Sequence, residues 1–315
     1  MKTTRTIALS VLSALFLGIS GFLALPAMAQ QLETPDTIQS FPVGVGPIGI
    51  VFDGANVWTA NWFDGTVTKL RASDGALEGA FPAGPECWGL AFDGTYIWVT
   101  NNNYLNQVTR LRASDGAFAG AFPVGEGPRA IVFDGTNIWT ANLGSDTVTK
   151  LRASDGHLLG SYPMIYPSGL AFDGTNIWVK QDNGTVAKVR PSDGTVLLTA
   201  ETRAGGTAGI VADGSSIWVT DYYDSVVVKV RASDGAYQGT AKVGTAPEYV
   251  AFDGVHIWVT NGVGETVMRL RRSNGAVQNI YFTGYHPTGI LFDGTSIWVA
   301  NYLDNTVSKI TRTPP

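Results

Sequence analysis

The sequence has one cysteine, Cys87, and three histidines in 315 residues. A disulfide framework and a thiolate-rich metal cluster within the chain are thereby excluded. Charged residues are only 15% of the total, and acidic side chains outnumber basic ones 26 to 21, which argues against nucleic acid as a partner. Beyond the first 29 residues there is no His-x-x-x-His pair, Gly-x-Ser-x-Gly elbow or phosphate-binding loop. Hydrophobic residues, at 44%, are too many for a disordered chain, and the 38 glycines and 15 prolines are too few for collagen. What stands out is tryptophan, with nine residues.

The one long apolar run, Ile7 to Leu25, follows Lys2 and Arg5 and precedes Ala27-Met28-Ala29. This reads as a secretory signal peptide over residues 1–29, cleaved between Ala29 and Gln30. An uncleaved membrane anchor is the alternative, since the run is 19 residues long. With cleavage, residues 30–315 form a single domain without a membrane span, expected in the periplasm or the medium of a bacterium and expected to be a monomer.

The tryptophans are periodic. A phrase of the form Phe-Asp-Gly-x-x-Ile-Trp starts at Phe52, Phe92, Phe133, Phe172, Ala212, Phe252 and Phe292, with spacings of 40, 41, 39, 40, 40 and 40. Trp58, Trp98, Trp139, Trp178, Trp218, Trp258 and Trp298 are thus one position repeated seven times. In the first repeat, residues 49–52, 56–60, 66–70 and 77–81 read as four short strands, separated by turn residues such as Asp53-Gly54 and Asp74-Gly75. Four strands per repeat without helical periodicity predict an all-β fold: a seven-bladed β-propeller of four-stranded antiparallel blades. A solenoid would need capping repeats, which neither end supplies. The chain ends after a third strand, residues 306–310, whereas residues 38–43 resemble a fourth strand. The N-terminal strand is therefore expected to complete the last blade and close the ring. The tryptophan column is expected to pack between neighbouring blades, each indole N–H needing one partner. The Asp-Gly pairs read as turns rather than as calcium ligands.

Pro47-Ile48-Gly49-Ile50 with Phe52-Asp53-Gly54, and Pro287 to Asn301, carry a resemblance over residues 38–310. The pattern resembles extracytoplasmic propellers of the YncE/YVTN type, the streptogramin (virginiamycin B) lyase group and NHL-repeat proteins. The resemblance implies the fold; proteins of unrelated activity share such repeats. In streptogramin lyases, histidine and acidic residues hold a divalent metal in the central cleft. Of the histidines here, His286 falls on the corresponding side, while His256 occupies a turn position on the opposite one.

Positions at which the repeats disagree are free to serve a site. Four residues before the Phe column stand Ile48, Trp88, Arg129, Ser168, Ala208, Glu248 and Thr288. Two positions earlier come Gly46, Glu86, Gly127, Tyr166, Gly206, Ala246 and His286. Trp62, Tyr222 and Tyr302 lie in loops joining second to third strands, and Tyr285 precedes His286. Trp62, Trp88, Arg129, Tyr222, Glu248, Tyr285, His286 and Tyr302 are the expected ligand-binding residues, on an acidic, aromatic-rich face. That chemistry suits a carbohydrate, a cationic small molecule, or a peptide or protein. Cys87 replaces a structural proline and reads as a filler, with no base beside it. No cofactor or metal site is predicted, though a divalent metal remains open. The preferred reading is a binding or interaction module. The alternatives are a metal-assisted lyase or hydrolase, with Glu86, Glu248 and His286 as catalytic candidates, and a structural protein of the cell envelope.

Overall fold

The computed structural model describes residues 36–102, 105–206 and 209–312. Residues 1–29, expected from sequence to be a signal peptide, Tyr104 and Ala208 lie outside the described residues. The described chain forms seven four-stranded antiparallel sheets. Blade 1 consists of Pro47–Phe52, Asn56–Asn61, Thr66–Arg71 and Leu77–Pro82. Each strand runs one or two residues beyond the stretch that the sequence pattern marks. The four strands do different work. The first strands of successive blades contact one another around the axis. The second is almost wholly buried, and the fourth alternates towards solvent. No helix among the described residues is long and apolar enough to cross a membrane.

Each of the seven repeated tryptophans is fully buried and joins two blades. Trp58 packs with Leu90, Ile97, Val99 and Leu111 of blade 2, and Trp298 packs with Val57 and Leu70 of blade 1. The partner of each indole is the aspartate of the repeated Asp-Gly pair. Every indole Nε1 donates to its Oδ2 at 2.7 or 2.8 Å, from Trp58–Asp53 round to Trp298–Asp293. The other oxygen accepts two backbone amides of the turn, as Asp53 does from Ala55 and Asn56. These aspartates are therefore more than turn formers. Over the other face of each indole lies a base from the third strand, between 4.9 Å (Lys229 on Trp218) and 5.8 Å (Arg269 on Trp258) from the ring centre. Six of these bases also cap a carbonyl of the next blade, for example Lys69 on Ala113 at 2.9 Å. Nor are the neighbouring arginines a free basic surface: Arg71, Arg112, Arg152, Arg190 and Arg231 each pair with an aspartate three residues on.

The ring closes through the N-terminal strand. Thr37–Pro42 pairs antiparallel with Thr306–Thr311, in a register from Thr37 opposite Thr311 to Pro42 opposite Thr306. Phe41 stacks on Trp298 at 5.7 Å, the place that Phe81 takes on Trp58 and Phe122 on Trp98. Across the seam Phe41 also lies against Gly75 of blade 1, where a Cβ would come within 2.1 Å of its ring. Lys309 completes the circuit by donating to the Ala72 carbonyl at 2.7 Å.

Two outcomes are expected. Deleting residues 30–44 should lower stability by at least the cost of truncating a core phenylalanine, about 3–5 kcal/mol. An unchanged thermal midpoint would sink the closure. The second concerns acid. Burial alone would raise the carboxyls of Asp53, Asp213, Asp253 and Asp293, but hydrogen bonds from indole and backbone outweigh it and hold all four low. At Asp213, with Arg272 as a further donor, the value is about 2. A carboxyl lowered by folding adds stability that is present above its unfolded value of about 3.9 and is lost as pH falls through the folded value. The thermal midpoint should therefore drop steeply between about pH 4 and 2. A midpoint that held there would remove these carboxylates as the source of acid sensitivity.

Candidate functional site

The face opposite the Asp-Gly turns carries a cleft of about 570 Å³. Its wall and floor come from the variable column at the start of the inner strands: Ile48, Trp88, Arg129, Glu248 and Thr288. The loops after the second strands add Trp62, Asp182, Tyr222, Tyr223 and Tyr302. The floor closes the central channel. Trp88 of blade 2 donates its indole N–H to the Tyr249 hydroxyl of blade 6 at 3.1 Å. Arg129 of blade 3 lies over the Trp88 ring at 4.9 Å, and Trp62 meets that ring edge-on at 5.0 Å. Below the same Trp88, Arg129 and Tyr249 is a separate cavity of about 120 Å³, lined by inner-strand residues such as Gly49, Leu170 and Ile210. Burial, with Glu248 adding to it, pushes the Tyr249 hydroxyl up, so it stays protonated.

On one side Glu248 and His286 form a pair, Oε1 to Nε2 at 3.4 Å. Gly262 makes room for it: a Cβ there would stand 3.0 Å from Glu248 and 3.2 Å from His286. His286 has a left-handed backbone, φ 55°, at a column where three of the seven repeats use glycine. A side chain in that conformation is strained, and such strain concentrates at working positions. The histidine ring also sits 5.7 Å from Tyr302.

Across the cleft Asp182 accepts from Lys180 at 2.9 Å and from the Ser168 hydroxyl at 2.6 Å. Lys180 is completely buried, and its ammonium also donates to the Gly206 carbonyl at 2.7 Å. Burial pushes its pKa down, while Asp182 and Asp221 pull it back up.

Of the residues marked from sequence, Trp62, Trp88, Arg129, Tyr222, Glu248, His286 and Tyr302 line the cleft. Glu86 and Tyr285 do not. Tyr285 is 58% exposed, its amide bonded to Asp304, and in blade 2 the cleft is lined by Trp88 and not by Glu86. Glu86 therefore does not join Glu248 and His286. Among the described residues no three His, Cys, Asp or Glu side chains gather as a metal site. Cys87 is buried and its thiol is pushed up to about 12 by that burial. Lys180 was not foreseen. Its signal is a column of threonine and alanine, Ala60, Thr100, Ala141, Thr220, Thr260 and Ala300, broken by one lysine. Tyr249 likewise interrupts a column that reads Gly49, Gly89, Gly169, Gly209 and Gly289 elsewhere, with Ala130 in blade 3.

Among solved structures the chain is similar to a streptogramin B lyase structure, with a TM-score of 0.74 and 21% identity over 88% of this chain and 98% of the other. It is also similar to hydrazine synthase of Kuenenia stuttgartiensis, with a TM-score of 0.76 and 18% identity over 85% and 96%. At these identities the likeness shows the propeller fold and nothing finer. Neither a protein-family model nor a curated protein matches the chain.

Lys180→Ala removes the donor from both Asp182 and the Gly206 carbonyl. A loss of about 1–3 kcal/mol is expected in urea unfolding. Stability unchanged within about 0.5 kcal/mol would show that Asp182 is held without the lysine.

Proposed function

We propose that the protein is a secreted or periplasmic binding module whose cleft takes a polar ring compound, a carbohydrate in the first place. The observation that carries this reading is the aromatic cleft with a closed floor. Trp62, Tyr222 and Tyr302 offer ring faces and edges on which an apolar sugar face can lie, and Glu248, His286 and Asp182 can bond hydroxyls. The N-terminal sequence supports export. A cationic ligand fits less well, because Arg129 already occupies a position over Trp88. Phe63, Tyr223 and Leu303, at 64%, 76% and 64% exposure, surround the mouth and could extend the surface for a longer chain.

A second reading is supported by one contact. The Glu248–His286 pair can relay a proton to or from a bound substrate, and the propeller is shared with a streptogramin B lyase. On that reading the protein is a lyase or hydrolase, with these two residues as acid and base and as possible ligands of a divalent ion.

Glycan binding by the protein of residues 30–315 tests the first reading. A carbohydrate that binds should lose about 10- to 100-fold in affinity with Trp62→Ala. If no glycan in a broad array binds, the carbohydrate reading falls. Glu248→Gln and His286→Asn decide the second: turnover lost while affinity persists would make the protein an enzyme.

A further inference from the structure

We infer that the ligand of this cleft carries a carboxylate and that Arg129 receives it. The inference rests on the carbohydrate reading above and narrows it to acidic sugars, uronic acids in particular.

The charges in the cleft are unevenly matched. Asp182 has Lys180 at 2.9 Å, and Glu248 has the His286 imidazole at 3.4 Å, an ion pair only when that ring is protonated. Arg129 has no such partner. Among the described residues no carboxylate lies within ion-pair distance of it, and its guanidinium makes no hydrogen bond; its Nε is buried without an acceptor. The Tyr249 hydroxyl accepts from Trp88, and the Thr288 hydroxyl is held on the Pro47 and Ile48 carbonyls. Trp88 supports the flat face of the cation but offers no acceptor to its N–H groups.

Arginine does not lose its proton, and buried donors without acceptors are costly. Other arginines here show how the chain normally treats the group. Arg110 also leaves Nε unpaired, yet its terminal nitrogens bind the Ala153 and Ala119 carbonyls. Arg269 has Asp36 at 3.9 Å. Nor does the scaffold require a base at residue 129, since its column holds Ile48, Trp88, Ser168, Glu248 and Thr288 in other blades. The acceptor that suits a planar fork is a planar carboxylate, bound by two parallel hydrogen bonds. One guanidinium matches one negative charge; a phosphate near −2 would be left half-neutralised on the same floor as Glu248. Beside the acids that line the cleft, Asp182 on Lys180 and Glu248 next to His286, Arg129 is thus the cation left for a ligand.

Two disaccharides that differ at one carbon test this: glucuronosyl-β-1,4-glucose and cellobiose, each titrated calorimetrically into the folded protein near neutral pH. The uronate should bind about 10- to 100-fold more tightly than the neutral sugar. In Arg129→Thr, which copies the residue of blade 7, that ratio should fall towards one. Arg129→Lys, which keeps the charge without the fork, should retain part of it. A thermal melt of each variant confirms the fold. Equal affinity for the two sugars, or a ratio that survives Arg129→Thr, overturns the carboxylate and leaves the carbohydrate reading in place. If neither sugar binds, the uronate falls, and the glycan array decides the carbohydrate reading by itself.

Discussion

Seven buried indole N–H groups require seven acceptors, and the way each is met organises the molecule. A tryptophan that bridges two blades cannot reach water, so its donor must be satisfied inside. The aspartate that does so belongs to the tight turn of the same repeat, and its second oxygen fixes that turn. The base above the ring then reaches the following blade. One residue triplet thereby joins turn geometry, blade packing and the contact to the neighbour. The indole–carboxylate bond recurs at all seven junctions, and in six the base also reaches the next blade.

Concentrating the structural demands at one end leaves the other end free. The Asp-Gly turns and the paired arginines face one way. The beginnings of the inner strands face the other, and there a residue can be isoleucine, tryptophan, arginine or glutamate without disturbing the ring. His286 shows the limit of that freedom. It takes a backbone conformation that suits glycine, and in return its imidazole reaches Glu248 across a glycine loop.

This division explains what could be read from the sequence. Blade number, strand order and the closing strand follow from the spacing of Trp58 and its counterparts and from the spare strand near Phe41. The cleft was legible wherever repeats differ at positions that begin a strand, as at Trp88, Arg129 and Glu248. Sequence alone did not separate residues that share a face from residues that share a hollow. Tyr285 is exposed beside His286, and Trp88 lines the cleft where Glu86 does not. Lys180 stayed hidden for a different reason. It lies in a buried strand, where a lysine is not expected, and its meaning depends on Ser168 of the inner strand and on Asp182 and Gly206 from two loops.

The seam in the seventh blade has a further consequence, for the order of events. Ser40 and Ser308 touch across 268 residues of chain, and Phe41 covers Trp298. Six blades are each assembled from neighbouring segments and can form as they appear. The seventh joins the first strand made to the last. Until that meeting, the outer edge of Thr306–Thr311 and the flank of blade 1 beside Gly75 have nothing against them. The slowest contact to find is therefore also the one that covers the outer edge of the last blade's third strand, so the interval before closure is when the chain is most exposed to pairing with another copy of itself.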